Sequence, residues 1–284
     1  MFDRLSRSWR LVAASGSVLM QDKTLLLFPL ISAVSSFAVM LCFALPIIGL
    51  GALDGLTHHR SGVIASGHYI VAFLFYLGQY FVIFFCNSAL VGAAMMQLDG
   101  NRPTLGDGFR IASAKAGTIL GYAAIAATVG MILRLIQERV GWIGQIVAGL
   151  IGMGWTLATY LVVPVLVSSD VGPVQAISES AALFKRTWGE NVIGRSGLGI
   201  AFGLIYFGVL ACGVLLIMMA AATGSAYLIA LMVLLVIAAF ILVGLVHSAL
   251  SGIYAAALYR YATNSGATQG FDHQALQAAF QPKN

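Results

Sequence analysis

Two sets of residues have side chains that could support chemistry, and the first is the pair His247 and Ser251. These residues are one helical turn apart, so the imidazole could act as a base for the serine hydroxyl. A serine hydrolase also needs donors for the oxyanion of its intermediate, and none can be assigned from the surrounding sequence. The pair therefore predicts two neighbouring polar groups without a hydrolytic site.

The second set comprises Asp54, His58, His59 and His68, whose side chains are of types that bind metals. Their spacing matches no established metal site, and adjacent histidines point in different directions on a helix. The three cysteines are scattered and give neither a disulfide framework nor a zinc spacing. We therefore expect a solvated loop here, with no metal and no cofactor.

The segments that carry these residues are strongly apolar. The chain is 60% hydrophobic and 9% charged, whereas soluble domains average about 25% charged residues. Apolar runs of roughly 20 residues are long enough to cross about 30 Å of hydrocarbon as helices. This composition excludes a soluble enzyme, and the continuous runs exclude a porin-type barrel. The sequence predicts an all-α, polytopic membrane protein whose six transmembrane helices cover 25–50, 69–96, 117–136, 142–167, 196–222 and 227–259.

The basic residues indicate how the spans are oriented. Most of the 15 Lys and Arg residues fall in connections on one side, and Arg60, Arg134 and Arg139 fall on the other. Because cytoplasmic loops are enriched in Lys and Arg, we expect both termini to be cytoplasmic. The same bias explains the pI near 9.2, so the charge does not require a nucleic-acid partner.

Three cytoplasmic segments have the apolar period of an amphipathic helix, at about 2–19, 105–116 and 174–188. Thr104 and Asp107 form a candidate capping box at the start of the second. Each segment precedes two spans, which predicts three repeated units at 1–98, 99–168 and 169–262. A cytoplasmic tail, 263–284, follows with a short helix at 272–280.

Two partners are open for the apolar faces of these three helices. They could lie at the headgroup level of an anionic leaflet, or they could be connectors packed on the bundle's own inner face. Amphipathic period alone does not distinguish the two. In the lipid-binding interpretation, cations bind headgroups and large side chains anchor the helices; the residues are Arg4, Arg7, Trp9, Arg10, Phe184, Lys185, Arg186 and Trp188.

The spans contain few polar residues. Arg134 and Glu138 are four residues apart near an outer end and predict an ion pair. Pro164 has no N–H for the carbonyl of Tyr160, which predicts a kink in the fourth span. Uncharged polar residues toward the cytoplasmic half either line one cavity or bond to neighbouring helices or back to their own backbone; they are Asn87, Thr156, Thr159, Tyr160, His247 and Ser251.

Several motifs carry a resemblance to a known family. The runs VVPVLV at 162–167, GP at 172–173 and LFKRTWG at 183–189 are similar to the signature of a family of bacterial integral membrane proteins of unknown function. LLFP at 26–29 and GFD at 270–272 resemble that family's ends. A fainter similarity is to the membrane domain attached to some glycerophosphodiester phosphodiesterases. The resemblance implies a six-helix protein of the bacterial inner membrane and brings no catalytic residues.

The expected function follows from these observations. We expect a non-enzymatic integral protein of the inner membrane that contacts anionic lipid, or a membrane partner, through its cationic cytoplasmic face. The membrane partner would be a second copy of the chain or another membrane protein. The alternative is a passive channel or facilitator for a lipid-like or small neutral solute, which would use the polar residues in the spans. Without a buried carboxylate, coupled transport would lack its usual coupling group.

Overall fold

The computed structural model describes residues 16, 19–20, 22–54, 63–139, 141–186 and 188–263, and these contain helices and no strand. A short 3-10 turn at Lys23–Leu26 precedes the helices. The helices are α1 (Leu27–Asp54), α2 (Val63–Leu98), α3 (Leu105–Ala114), α4 (Ala116–Arg139), α5 (Gly141–Ala158), α6 (Val162–Ser168), α7 (Pro173–Arg186), α8 (Trp188–Ala222) and α9 (Ala226–Ala262). The expected all-α class is confirmed for this part of the chain.

Six helical segments of the described residues are long and apolar enough to cross a membrane. They are Lys23–Ala44, Ile70–Leu98, Ala116–Glu138, Gly144–Ser168, Leu198–Ala222 and Ala226–Ala262. All six correspond to predicted spans, so the described residues contain as many apolar helices of membrane-spanning length as the sequence predicts. Because successive spans alternate in direction, α3 and α7 lie on one side, and we refer to the span ends on that side as inner ends.

The fourth span is broken between α5 and α6, as the position of Pro164 predicts. A proline has no N–H for the carbonyl four residues earlier, and its ring clashes with that carbonyl. The N–H of Val162 donates to the Thr159 carbonyl at 3.2 Å, three residues back, which closes a tighter turn. The predicted kink is therefore confirmed as an interruption of the helix.

Ser180 of α7 bonds to the backbone at this break. Its hydroxyl donates to the Ala158 carbonyl at 2.7 Å, and its oxygen accepts from the Leu161 N–H at 3.0 Å. The Ser180 side chain is fully buried. A buried backbone group without a partner is destabilising, so one serine satisfies two groups that the broken helix leaves open.

The connector α3 packs against protein through its apolar face. The Phe109 ring lies 5.4 Å from that of Phe28 on α1 and 6.1 Å from that of Phe85 on α2. At Gly108, an added Cβ would lie 2.5 Å from Phe28 Cζ and 2.7 Å from the Ala89 carbonyl oxygen. Only a glycine allows this approach, so the two helices on which α3 packs fix its position.

The capping box predicted at the start of α3 is confirmed. The Asp107 N–H donates to Thr104 Oγ1 at 3.2 Å, and the Thr104 N–H donates to Asp107 Oδ2 at 3.1 Å. Each side chain thus satisfies a backbone donor that the first turn of a helix leaves open.

The connector α7 also packs against protein, through a face that includes Phe184 of the predicted face but is shifted toward Ala176 and Ser180. Ala176, Ser180 and Leu183 are buried, whereas Val174, predicted for the apolar face, is 69% exposed. The buried face contains small residues because α7 lies close to the broken backbone of the fourth span. For α3 and α7, the structure favours protein as the partner of the buried face.

The chain divides into two compact units. One, the bundle unit, comprises Leu27–Ala93 and Pro103–Arg186. The other, the hairpin unit, comprises Met1–Leu26, Ala94–Arg102 and Thr187–Asn284. The division into three sequence repeats remains a prediction.

The hairpin unit is built on α8 and α9, which form an antiparallel pair. Gly224 has a φ of +68° in the turn between them, a conformation that suits glycine. An added Cβ at Gly213 would lie 2.8 Å from Val236 Cγ2, so this glycine allows the two helices to approach closely. The rings of Tyr206 and Phe240 stack at 5.9 Å farther along the same interface.

Candidate functional site

Two cations at inner ends, Lys115 and Arg260, form ion pairs within the protein. Lys115 Nζ donates to Asp170 Oδ1 at 2.9 Å and to the Ser169 carbonyl at 3.1 Å. The Lys115 ammonium holds the pKa of Asp170 below its usual value. The Arg260 side chain is 11% exposed, and its guanidinium lies 2.5 Å from Asp99 Oδ1. Because these cations already have carboxylate partners, we assign them to the fold.

Other cations near inner ends are exposed. The Arg110 side chain is 76% exposed and pairs with Asp107 at 2.9 Å. Hydrogen bonds from Thr104, with a smaller contribution from Arg110, lower the pKa of Asp107. Three further side chains are exposed and form no ion pair within the described part of the chain: Lys23, Arg102 and Lys185. These cations are available to an external anion.

The residues predicted to contact lipid have different outcomes. Lys185 is exposed as expected. Phe184 is 5% exposed, so its ring packs within the protein, and the predicted role as a lipid anchor is not consistent with this burial. Arg186 is the last residue of α7 and Trp188 is the first residue of α8, but the structure does not describe their side chains. The remaining predicted residues, Arg4, Arg7, Trp9 and Arg10, lie outside the described residues, as do His58, His59 and the helix at 272–280.

The residues predicted to line a cavity divide between the two units. Asn87, Thr156, Thr159 and Tyr160 belong to the bundle unit, whereas His247 and Ser251 belong to the hairpin unit. Thr156 is exposed, and its hydroxyl donates to the Gly152 carbonyl at 2.8 Å. The hydroxyl of Thr159 donates to the Trp155 carbonyl at 2.8 Å. Both threonine hydroxyls thus bond back to their own helix, which is the second of the two roles weighed for them.

His247 is held between aromatic rings. Its imidazole stacks on Phe202 with centroids 4.4 Å apart and an interplanar angle of 20°. The Tyr206 ring meets it edge-on at 6.1 Å. The imidazole is half-buried and fixed in orientation by residues of α8. The sequence showed the polar residue but not these rings, since they come from another span.

The outer end of the bundle unit contains the predicted ion pair. Arg134 Nε donates to Glu138 Oε1 at 2.8 Å, which confirms the pair. Arg134 Nη1 also donates to the Tyr76 hydroxyl oxygen at 2.6 Å. From Tyr76, rings at every fourth residue of α2 stack in a row through Tyr80 to Phe84. This spacing is visible in the sequence and could have identified the aromatic row.

Comparisons with known proteins identify a family and no characterised relative. Neither a search of curated proteins nor a search of solved structures gave a match. The model of one family, described as a family of unknown function (DUF6159), matches residues 66–271. This match covers five of the six spans and both described connectors. The chain therefore belongs to this family of unknown function, and its six apolar helices make it a multi-pass membrane protein.

Proposed function

We propose that this protein is a non-enzymatic component of the bacterial inner membrane that binds anionic lipid headgroups through cations at its inner ends. In this proposal both termini are cytoplasmic. The observation that carries it is the exposure of Lys23, Arg102 and Lys185, each without a carboxylate partner in the described part of the chain. In this proposal each of the six apolar helices crosses the membrane once, and the even number of helices between these residues in the chain supports one side for all three.

The contact with lipid is proposed to be electrostatic. The buried faces of α3 and α7 pack against protein, so neither helix needs to bury that face in the leaflet. Arg110 on α3 and Lys185 on α7 lie on the exposed sides of these helices. A basic residue near an anionic leaflet contributes about 1 kcal/mol. Several such residues together are sufficient to enrich anionic lipid around the inner ends.

The proposal is tested by neutralising exposed cations and measuring the lipids that remain bound. The protein is reconstituted in vesicles containing equal amounts of phosphatidylglycerol and phosphatidylcholine and is released into a native mass spectrometer. In the triple variant Lys23→Gln, Arg102→Gln, Lys185→Gln, we expect retained phosphatidylglycerol to fall at least about fivefold, since each charge contributes about 1 kcal/mol.

The control is the double variant Arg60→Gln, Arg139→Gln, which removes cations predicted for the opposite side. It should retain phosphatidylglycerol as the wild type does. Equal retention in the triple variant and the wild type would contradict the proposal. Uniform loss in both variants would indicate a general effect of charge rather than a contact at the inner ends.

Passive passage of a solute has less support. The hydroxyls of Thr156 and Thr159, which would line such a route, bond to carbonyls of their own helix. Flux of a small neutral solute, such as glycerol, through sealed liposomes containing the protein would favour the facilitator instead.

A further inference from the structure

Several threonine hydroxyls of both units bond to carbonyls of their own helix, but a group of polar side chains in the hairpin unit does not. In the spans of the bundle unit, Thr128 and Thr156 donate to carbonyls of their own helices at 2.8 Å. In the hairpin unit, four polar side chains form no hydrogen bond within the described part of the chain, and they are Tyr206, His247, Ser248 and Ser251. Ser248 is exposed and the other three are half-buried. Since polar groups in an apolar environment need partners, these side chains are open to donors and acceptors from outside the described part of the chain.

These four side chains lie close together on the α8–α9 hairpin. Gly244, His247, Ser248 and Ser251 follow the spacing i, i+3, i+4 and i+7, which places them on one face of α9. Gly244 leaves a recess on this face, and the Tyr206 hydroxyl lies 3.7 Å from the position of an added Cβ. The stacking of the His247 ring on Phe202 fixes the imidazole beside this recess. We refer to Tyr206, His247, Ser248 and Ser251 as the hairpin polar cluster.

The hairpin polar cluster lies at the margin of a large exposed apolar surface. On α8, the described part of this surface includes Ile200, which is 53% exposed, and Leu204, which is 63% exposed. Phe202, which stacks on His247, is about 3 Å along the axis from Ile200 at 1.5 Å per residue. On α9 the surface ends at Leu242, which is 63% exposed, shortly before the cluster. In a bilayer, the ester and phosphate oxygens of a lipid lie at such a margin.

We propose that the hairpin polar cluster binds the ester and phosphate oxygens of one phospholipid whose acyl chains lie along α8 and α9. Tyrosine, serine and histidine all donate hydrogen bonds, and phospholipid oxygens accept them. The tyrosine and serine donors carry no charge, so recognition does not depend on a net negative headgroup. The site is therefore separate from the exposed cations of the proposed function and uses none of those residues.

The test uses His247→Phe in the full-length protein, reconstituted and analysed by native mass spectrometry in the same mixed vesicles. Phenylalanine keeps the ring on Phe202 and removes the donor. We expect retained phosphatidylcholine to fall about tenfold, which corresponds to one hydrogen bond to a charged group. A second variant, Gly244→Leu, keeps the donors and covers the recess, and it should lose the same lipid. The control is Thr156→Val, which removes an exposed hydroxyl that its own helix already satisfies.

The outcomes separate this proposal from the previous one. Support requires that His247→Phe and Gly244→Leu lose phosphatidylcholine, that both lose less phosphatidylglycerol than the triple cation variant does, and that Thr156→Val keeps both lipids. Retention of phosphatidylcholine in both variants at the wild-type level would overturn the site. Release of the wild type as a dimer and of His247→Phe as a monomer would also overturn it, because the occupant would then be a second copy of the chain. Loss of phosphatidylglycerol in the triple cation variant tests only the proposed function.

Discussion

Two parts of the single helix α9 have opposite environments although both are apolar. In the outer part, from Tyr227 to Leu242, most large side chains are exposed, with Tyr227 at 90% and Leu234 at 62%. In the inner part, every residue from Gly252 to Tyr259 is buried, which is more than two full turns. The side chains of the outer part are therefore left for the membrane to cover, whereas the side chains of the inner part are covered by protein on all sides.

The two parts differ in side-chain size. The inner part is rich in small residues such as Gly252, Ala255 and Ala256, whereas the outer part is rich in leucine, isoleucine and valine. Lipid tails are as apolar as leucine, so within the membrane the hydrophobic effect does not drive one helix to pack against another. Helices associate there instead through the close packing of small residues. In an apolar chain, side-chain size thus indicates which surface faces protein better than hydropathy does.

The largest expected difference between packed and exposed surfaces is at two glycines, Gly108 and Gly203. Gly108→Ala places a methyl group 2.7 Å from the Ala89 carbonyl, where backbone must move, and we expect a loss of about 3 kcal/mol or more. Gly203→Ala, on the exposed hairpin, meets nothing within 4 Å and should change stability by at most about 1 kcal/mol, as a gain. Thermal unfolding in one detergent measures both. Equal melting temperatures would contradict the difference between packed and exposed surfaces.

Removal of the Ser180 hydroxyl is expected to have the next largest effect. Ser180→Ala leaves the Ala158 carbonyl and the Leu161 N–H without their partner in a buried place. A buried unsatisfied group costs about 1 to 3 kcal/mol, so we expect a loss of about 2 to 3 kcal/mol. Ser178→Ala on the exposed side of the same helix is the control and should unfold at the wild-type temperature. If the two variants unfold together, Ser180 does not support the break.

A pair of alanines on α9 tests the comparison within one helix. Ala256 is fully buried and Ala238 is exposed. Ala256→Leu should cost about 1 to 3 kcal/mol because the added atoms must displace packed neighbours. Ala238→Leu, at a lipid-facing position, should be nearly neutral. The difference in apparent melting temperature is the measurement, and a larger loss for Ala238→Leu would reverse our assignment of the two environments.

The smallest effect concerns pH at the inner end of the bundle unit. The pKa of Asp170 is lowered by Lys115, so the ionised form stabilises the fold. That stability is present above the unfolded pKa of about 3.9 and is lost as the pH falls through the lower folded value. Asp170→Asn should therefore melt below the wild type at pH 7, and the difference should shrink as the pH falls below the unfolded pKa of about 3.9. A difference that persists at low pH would indicate a contribution other than the ion pair.

Much of the fold could be predicted from the sequence because its signals are local. Apolar length located the six spans, and the spacing of Arg134 and Glu138 indicated their ion pair. The capping box at Thr104 and the break before Pro164 also follow from chemistry within a few residues. Each of these features depends on residues that are close in the chain.

The contacts between distant residues could not be predicted in the same way. The periodicity of α7 placed Val174 on the buried face, yet the small polar Ser180 is buried instead. Ser180 can be buried because a broken helix offers it a carbonyl and an N–H, and no pattern within α7 reports that. The contact between Lys115 and Asp170 likewise joins residues 55 positions apart. For the hairpin polar cluster, the sequence identified His247 and Ser251 but not the contribution of Tyr206 from the preceding span.

The broken fourth span also has a consequence for the order of biosynthesis. Its open backbone groups are satisfied by a serine that follows Leu161 by 19 residues. At about 5 to 20 residues per second, that serine is made roughly one to four seconds after the break. Unpaired backbone groups are strongly unfavourable in hydrocarbon. The fourth span is therefore incomplete as a unit of membrane insertion, and it reaches its final structure only after the ribosome has delivered α7.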